Sequence, residues 1–448
     1  MKSIAVAVCG LLTIALLSPA SGGASPLAPG AQLAPGQAKS LSPVDQQEQK
    51  KPKKKSVDQQ KKKKKPKKYP KTPAGRTVTT ITPAAFGMHS HVGKPGASAG
   101  SFRINAYPLW SEIQPAPGEF NWAVLDEMVT NARSWGYTDV LWSMASPPTW
   151  ATNGVYFGMP TEDSWKTFWR AITNRYKGRI TSWEIWNEAT SRFWWSGTPP
   201  QMAQLTKWAH DIIKAADPKA LVITASMQTS QPGWFKSFFP QYMAALKVHG
   251  WPIDAVAFHT YADRGLNDRM LGPVPDVAPG GIKYGVAEIA KVKMPPRIQL
   301  WDTEVNYLPT VNKVRKPFST FERNIRIART YLESFQYGFK RTYWYTWVVE
   351  PNDWFGINLI TGSSDAATYQ KVYSLLIGSR LLGCVATNAG NDCSYTKGGK
   401  PFRMVWANRK AVRVSVPRKG MKVCPVVGTC RKTKSKVYTV GVMPVRIG

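Results

Sequence analysis

Several kinds of pattern are absent from this 448-residue sequence, and each absence removes a class of protein. Beyond the N-terminus, no stretch approaches the ~18 uninterrupted apolar residues that a membrane-spanning helix needs, so we expect no transmembrane span in the mature chain. No glycine-rich phosphate loop follows the first candidate strand, and no Ser-His-Asp signature is found. No group of residues has metal-ligand spacing, so we expect neither a metal nor a cofactor.

The first 24 residues have the layout of a cleaved secretory signal peptide. A lysine precedes an apolar run of about 14 residues, and small residues follow. Cleavage after Ala20 or Ala24 would release the mature chain. Cys9 lies inside the apolar run and lacks the surroundings of a lipid-attachment cysteine, so we do not expect a lipoprotein. The layout predicts a secreted protein, either extracellular or associated with the cell wall.

Cysteine is rare, and its placement is informative. Outside the predicted signal peptide the cysteines are Cys384, Cys393, Cys424 and Cys430, all within the last 65 residues. In an exported protein this pattern predicts two disulfides. Three connectivities are open, and we favour the local one, which joins Cys384 to Cys393 and Cys424 to Cys430. Buried free thiols are the alternative.

Acidic residues are also scarce: 27 Asp and Glu stand against 60 Lys and Arg, for a net charge of +33. The excess is uneven, with 15 basic against 3 acidic residues in 39–76, 30 against 23 in 77–383, and 14 against 1 in 384–448. Such basic flanks are typical of segments that bind an anionic cell wall or exopolysaccharide. A solvated spacer is the alternative. We expect no specific nucleic-acid partner.

Composition divides the mature chain into three regions. Residues 25–76 are rich in Pro, Gln and Lys and have almost no large apolar side chains, which predicts a disordered linker. In residues 77–383 short apolar runs alternate with longer amphipathic segments. Residues 384–448 contain short alternating patterns separated by turn residues, which predict a small antiparallel β module tied by the disulfides.

The middle region predicts a closed parallel barrel. Short apolar runs predict eight strands, at 85–90, 101–105, 139–145, 180–187, 221–226, 254–261, 297–305 and 341–348. Helical segments lie between most of them, which indicates an α/β (β/α)8 barrel. The ten residues 91–100 are too few for a crossover helix, so either that helix is missing or the first strand is wrong. A doubly wound open sheet is the alternative.

Two glutamates follow predicted strands of this barrel. Glu188 ends the stretch "WEIWNE" after the fourth strand, and Glu304 ends "LWDTE" in the seventh. The carboxyl ends of barrel strands meet at one rim, so we expect the two carboxylates to face each other there. An acid and a nucleophile or base so placed are the minimum requirement for glycoside hydrolysis. A buried structural ion pair is the alternative.

Three motifs in order, "WEIWNE", "FHTY" and "LWDTE", resemble clan A of the glycoside hydrolases. Within the clan, "RINAYPLWSEIQPAPGEFNWAVLDEMV" followed by "VLWSMASPPTWA" is similar to glycoside hydrolase family 39 and its bacterial relatives. The resemblance spans roughly residues 84–380. It implies a retaining (β/α)8 enzyme that cleaves β-type glycosidic bonds by double displacement.

The resemblance implies roles for five residues. Glu188 would be the acid/base and Glu304 the nucleophile, with their carboxyl groups ~5–5.5 Å apart. Asn187 would bind the 2-hydroxyl of the sugar under attack. Arg103 would keep the nucleophile ionised, and Tyr261 would hydrogen-bond to it.

Further substrate contacts are expected around the pair. His259 would line the same wall, and Trp347 would form an aromatic floor under the sugar. His89 could line the pocket at the first strand, as could His91. Trp194, with its neighbour Trp195, could form a stacking platform for further sugar units. Ordinary core packing or a loop staple is the alternative for these residues.

The predicted function is therefore a secreted retaining glycosidase with a carbohydrate substrate. The alternative is a catalytically inactive surface protein that binds carbohydrate or a polyanion. The abundance of aromatic residues at the rim favours a polymer, and the positive charge favours an acidic polymer or an acidic wall. The sugar, the linkage and the choice between endo and exo action stay open.

Overall fold

The computed structural model describes residues 80–91, 93–263, 281–311, 314–348 and 356–448. The predicted signal peptide and the Lys- and Pro-rich linker lie outside these residues.

Eight parallel strands form a closed barrel. They are β1 Phe86–Met88, β2 Ser101–Ile104, β3 Asp139–Ser143, β4 Ser182–Glu184, β5 Leu221–Ile223, β6 Ala255–His259, β7 Gln299–Val305 and β8 Phe339–Trp344. Each strand pairs with the next, and β1 pairs with β8, which closes the ring. The predicted barrel is confirmed, and the open-sheet alternative is excluded.

The strands are buried on both faces, which is why they read as short apolar runs. Inside the barrel, Leu141, Ile223, Trp301 and Tyr343 belong to one small apolar cluster. Outside it, a larger aromatic cluster fills the layer between strands and helices. There the Trp142 ring lies 5.9 Å from that of Trp183, in an edge-to-face arrangement.

Helices cover the barrel from the outside. They are α1 Trp110–Ile113, α2 Ala123–Ser134, α3 Glu162–Tyr176, α4 Pro199–Ala216, α5 Pro232–Val248, α6 Gly281–Lys291, α7 Thr320–Gln336 and α8 Ser364–Leu376. Capping boxes start two of them, at Thr198 before α4 and at Ser319 before α7. None of the helices in the described residues is long and apolar enough to cross a bilayer.

The connection between β1 and β2 differs from the others. No helix forms in its described residues, 89–91 and 93–100. Of the two alternatives for this connection, the first predicted strand is present as β1, and the crossover helix is missing from the described residues. The Gly100 N–H donates to the carbonyl of Phe86, the first residue of β1, at 3.0 Å. The connection therefore returns the chain to the start of β1, where β2 begins to pair with it in parallel.

The C-terminal residues form antiparallel sheets. Their strands are β9 Ser379–Ala386, β10 Gly390–Lys397, β11 Lys400–Ala407, β12 Val412–Ser415, β13 Lys422–Pro425, β14 Arg431–Lys432, β15 Val437–Val440 and β16 Val445–Ile447. Six form one sheet in the order β9-β10-β11-β16-β13-β14, and β12 pairs with β15. The favoured disulfides, Cys384–Cys393 and Cys424–Cys430, are both formed.

The first of these strands starts earlier than the predicted module boundary at residue 384. Helix α8 ends at Leu376 and β9 begins at Ser379. Gly378 lies between them with φ +74°, a conformation that glycine adopts without strain. Gly378 therefore forms the turn that separates helix α8 from strand β9.

The β module and the barrel share one apolar core. Tyr395, Phe402 and Trp406 of the module are buried in the same cluster as Tyr331 of α7 and Tyr369 of α8. All of the described residues accordingly belong to one compact unit. The C-terminal strands therefore share the larger cluster with the barrel helices, and a second, smaller apolar cluster lies within the module.

We therefore expect the substitution Trp406→Ala to lower the stability of the whole described chain. Removing a fully buried indole should cost about 3–5 kcal/mol, and urea unfolding should remain a single transition at a lower midpoint. The half-exposed Val437→Ala is the control and should change the midpoint little. Two separate transitions, with the barrel's unchanged, would contradict the shared core.

Candidate active site

Two carboxylates meet at the carboxyl-terminal rim of the barrel. Glu304 lies in β7, and Glu188 lies four residues beyond the end of β4. His259 is the register partner of Glu304 in the neighbouring strand β6. One side-chain donor atom of each of these three residues lies within 4.8 Å of the others, and all three residues are buried. The rim position predicted for both glutamates is where the structure has them.

The backbone at Glu188 is held in an unusual conformation. Its φ is +51°, in the left-handed region that a side chain other than glycine enters at a cost of about 1 kcal/mol or more. The Ser226 hydroxyl accepts from the Glu188 N–H at 2.9 Å, and the Asn187 N–H donates to the Met144 carbonyl at 2.8 Å. These contacts to neighbouring strand ends fix the turn that directs Glu188 into the site.

Arg103 of β2 is the centre of the polar network. It is fully buried, and its Nη1 donates to Glu304 Oε1 at 2.6 Å. Its Nε and Nη2 donate to the two oxygens of Glu184 at 3.1 and 2.6 Å. Nη1 also reaches Asn105 Oδ1 at 2.7 Å, and Nη2 reaches Asn187 Oδ1 at 3.2 Å. Burial lowers the pKa of Arg103, but Glu184 and Glu304 outweigh it and raise the pKa, so the guanidinium stays charged.

Glu184 is the member of this network that the sequence analysis missed. It is the last residue of β4, is fully buried, and also accepts from the Ser143 hydroxyl at 3.1 Å. A charged residue in an apolar strand was the available indication, because such a residue is almost never buried without a partner. The bidentate pair fixes the plane of the Arg103 guanidinium.

Tyr261 and His259 complete the surroundings of the carboxylates. The Tyr261 hydroxyl donates to Glu304 Oε2. Burial and the charge of Glu304 raise the pKa of Tyr261 well above its usual value, so the phenol keeps its proton. His259 Nδ1 lies 2.8 Å from Glu188 Oε1 and 3.4 Å from Glu304 Oε2.

The charge of His259 depends on two opposing effects. Burial lowers the pKa of His259, but the neighbouring Glu304 and Glu188 carboxylates outweigh burial, and the net pKa is raised. The imidazole Nδ1 lies within hydrogen-bond distance of Glu188 Oε1, so His259 contacts the acid/base candidate directly.

His89 and Trp347 have different surroundings from those predicted. Burial and the charge of Arg103 lower the pKa of His89, so the ring is neutral, and Nε2 lies 2.9 Å from the Thr303 carbonyl. Trp347 lies beyond β8 and packs in the apolar cluster shared with the C-terminal module. The ring of Tyr345 instead lies 5.1 Å from His89 and 6.4 Å from Tyr261. Tyr345 is therefore a further candidate for an aromatic floor, and the role of Trp347 stays a prediction.

Aromatic residues continue along the rim past Glu188. Trp194 is half-buried, and its ring lies 6.4 Å from that of Phe157. Tyr156 and Phe193 are exposed, at 70% and 69%. Trp195, the predicted companion of Trp194, is buried in the core and cannot stack with a ligand. The surface available for stacking is formed by loops after β3 and β4.

The three donors Glu188, His259 and Glu304 are also the group in the described residues that could hold a metal ion. Both oxygens of Glu304 already accept hydrogen bonds, from Arg103 and Tyr261. The adjacent guanidinium and the raised pKa of His259 add positive charge at the same point. Because hydrogen-bond donors already occupy both oxygens of Glu304, the geometry fits a hydrogen-bonded carboxylate pair better than a metal site.

Sequence comparison finds the profile of glycosyl hydrolase family 10 over residues 105–290, which is less than half of the chain. Endo-1,4-beta-xylanase A of Fusarium oxysporum f. sp. lycopersici is 32% identical over 84 residues, 18% of this chain and 25% of that protein. A second endo-1,4-beta-xylanase A, from a Caldicellulosiruptor species, is 25% identical over 173 residues, 33% of this chain and 24% of that protein. The chain spans about a quarter of the length of these relatives.

Solved structures resemble the chain over most of its length. A family 39 glycoside hydrolase from Bacteroides cellulosilyticus matches with a TM-score of 0.62 and 18% identity, over 83% of this chain and 82% of that one. A family 30 endoxylanase from Clostridium papyrosolvens matches with a TM-score of 0.53 and 14% identity, over 83% and 97%. At these identities the likeness shows the fold.

Together the sequence matches and the fold fit a clan A glycoside hydrolase, the resemblance predicted from the motifs. Within the clan the comparisons point to more than one family, since the sequence profile is that of family 10 and the structural likeness includes family 39. The matched residues 105–290 include Glu188, His259 and Tyr261 but end before Glu304.

The buried pair of Arg103 and Glu184 predicts how substitutions of these residues change the free energy of unfolding. Arg103→Met should leave Glu184 buried without its cation and cost about 3–5 kcal/mol in the free energy of unfolding. The double substitution Arg103→Met/Glu184→Met removes both partners and should recover about half of that loss or more, measured by urea unfolding. Arg175→Met is the control, because its pair with Asp126 is exposed and should contribute less than about 1 kcal/mol. A double variant no more stable than Arg103→Met would contradict this account.

Proposed function

We propose that the protein is a retaining glycoside hydrolase that cleaves β-glycosidic bonds of a polysaccharide or oligosaccharide, with Glu304 as nucleophile and Glu188 as acid/base. The observation that carries the proposal is the spacing of the two carboxylates, whose nearest oxygens lie within 4.8 Å. Carboxyl groups of retaining enzymes lie about 5–5.5 Å apart, whereas inverting enzymes need roughly 6.5–9.5 Å to admit a water molecule.

In the first step, Glu304 would attack the anomeric carbon while the bond to the leaving oxygen breaks. Arg103 and Tyr261 both donate to Glu304, which stabilises its ionised form and leaves the carboxylate oriented. Glu188 would deliver a proton to the leaving oxygen. His259 Nδ1 lies 2.8 Å from Glu188 Oε1 and would hold that carboxyl group in place.

In the second step, water would attack the anomeric carbon and break the bond to Glu304. Esterification removes the negative charge of Glu304, so the repulsion that opposes ionisation of Glu188 falls. Glu188 can then accept a proton from the incoming water as the general base.

The proposed substrate is a polymer of β-linked sugars. The relatives named above are endo-1,4-beta-xylanases, which makes xylan a first candidate, although the matches cover only part of each protein. The half-buried Trp194 and exposed aromatic residues beyond Glu188 support binding of several sugar units along the rim. Asn187, held by Arg103, is proposed to bind the 2-hydroxyl at the point of cleavage.

We further propose that the protein is secreted and acts outside the cell or at the cell wall. Support comes from the signal-peptide layout of the first 24 residues and from the two disulfides, which persist in oxidising compartments. The Lys-rich segment 39–76 would bind an anionic cell wall or exopolysaccharide by charge.

The central assignment is tested by Glu304→Gln on a panel of neutral and acidic polysaccharides and aryl β-glycosides. Loss of the nucleophile should lower kcat by about 1,000-fold or more on whichever substrate the parent chain cleaves. Glu119→Gln removes an exposed carboxylate and serves as the control with parental activity. If Glu304→Gln keeps full activity, the nucleophile is elsewhere. If neither protein cleaves a glycan that both bind, the barrel is a binding protein.

Trp194 provides a test of polymer binding. Trp194→Ala should lower kcat/KM on the cleaved polysaccharide by about five- to tenfold, because the lost stacking surface corresponds to roughly 1 kcal/mol. Activity on a short aryl glycoside should stay unchanged. Trp208→Ala, on the outer face of α4, is the matched control. Equal losses on polymer and aryl glycoside would contradict a role in binding distant sugar units.

A further inference from the structure

The C-terminal module carries a dense group of cations, and we propose that they form a binding site for an acidic polysaccharide. We define the basic ribbon as residues 412–423 together with 431–440. Its exposed cations are Arg413, Arg418, Lys419, Lys422, Arg431, Lys432, Lys434 and Lys436. The ribbon belongs to the C-terminal module, whereas Glu188 and Glu304 belong to the barrel.

Backbone hydrogen bonds hold the two segments of the ribbon side by side. Strand β12 pairs with β15, and β13 pairs with β14. Between these ladders, the Val416 N–H donates to the Lys436 carbonyl at 2.9 Å, and the Gly420 N–H donates to the Thr433 carbonyl at 2.9 Å. The ribbon is therefore continuous, and the cations of the two segments are brought together along it.

Some of these cations face each other directly. Lys422 is the register partner of Lys432 across the β13–β14 ladder. Side chains opposite each other in such a ladder are about 4.5–5.5 Å apart at Cβ, and like charges there are destabilising. The disulfide Cys424–Cys430 closes the loop immediately beyond this pair and ties the two strands together covalently. The fold thus maintains a repulsive arrangement that a bound polyanion would relieve.

Acidic side chains are scarce in the sequence around the ribbon. The sequence from 393 to 448 has 14 Lys and Arg and no Asp or Glu. Asp392 is the nearest acidic residue in the chain, and it pairs with Arg403. Cations clustered without acidic neighbours produce a positive potential that attracts a polymer with repeated negative charges and releases the polymer's counterions on binding.

The choice of a polysaccharide as the polyanion rests on the proposed function, since a glycoside hydrolase that acts on a polymer would use such a site to bind the polymer itself. The aromatic residues of the module also argue against single-stranded nucleic acid. Tyr395, Phe402 and Trp406 are buried, and Tyr438 packs against the second apolar cluster of the module. The ribbon therefore offers charge without the aromatic platforms on which bases stack.

The test uses the full chain carrying Glu304→Gln, so that a bound glycan is not cleaved. The ribbon variant adds Lys422→Gln, Lys432→Gln, Lys434→Gln and Lys436→Gln. The matched control instead adds Lys177→Gln, Lys219→Gln, Lys236→Gln and Lys247→Gln, which are exposed on the outside of the barrel and change the net charge equally. Polygalacturonate is the anionic probe, and neutral xylan is the uncharged one.

We expect the ribbon variant to bind polygalacturonate at least about fivefold more weakly than the control variant at 50 mM salt, with a log–log salt slope smaller by about 2. Xylan binding should be the same for both. The ribbon variant should unfold at an equal or higher urea concentration, because repulsion is removed, so weaker binding would not reflect unfolding.

Other outcomes would overturn the inference. Equal polygalacturonate affinities for the two variants would mean that the cations only keep the sheet edge solvated. Tighter, ribbon-dependent binding to duplex DNA or to anionic vesicles at the same salt would assign the ribbon to another polyanion. Absence of hydrolysis by the chain with Glu304 intact would refute the proposed function, while a ribbon-dependent loss of polygalacturonate binding would still establish the site.

Discussion

The ion pairs of Arg103 are the interaction on which the rest of the site depends. One fully buried guanidinium touches carboxylates from two other strands, Glu184 of β4 and Glu304 of β7, and the Asn187 amide next to Glu188. A charge without water needs such partners, since the penalty for burying it alone is several kcal/mol. Closing the barrel satisfies that requirement, because only a closed ring brings β2, β4 and β7 within reach of one side chain.

This arrangement divides the work between two carboxylates. Glu184 neutralises Arg103 and fixes its orientation by a bidentate contact, which leaves Nη1 to direct Glu304. His259 then links Glu304 to Glu188 through a ring whose pKa the two carboxylates raise. Glu304 and Glu188 are therefore connected through one ring, whose Nδ1 lies 3.4 Å from Glu304 Oε2 and 2.8 Å from Glu188 Oε1.

Much of the fold could be predicted from the sequence because the relevant patterns are local. Eight apolar runs gave the barrel strands, and the motifs ending in Glu188 and Glu304 gave the two carboxylates at one rim. The missing crossover helix after β1 was also visible as a connection of only ten residues. The local pairing of the cysteines was the favoured one of three open connectivities, and the structure has it.

The parts that could not be predicted depend on contacts between distant residues. Glu184 looks like one polar residue in an apolar strand until Arg103, 81 residues earlier, is placed beside it. Trp347 was expected to form the aromatic floor because it is an aromatic residue near the end of the eighth strand. The structure also has the Tyr345 ring near His89, which depends on the path of the chain after β8. The shared core of the barrel and the C-terminal strands likewise depends on packing that no local pattern contains.

The most direct test of the account is to label the nucleophile. The chain would be incubated with 2-deoxy-2-fluoro aryl β-xyloside and β-glucoside, which slow the second step of a retaining mechanism, and then digested and measured by mass spectrometry. The account predicts a gain of one fluoroglycosyl unit on the peptide that contains Glu304. A glycosyl group on another residue, or cleavage of a natural substrate with inversion at the anomeric carbon, would contradict it.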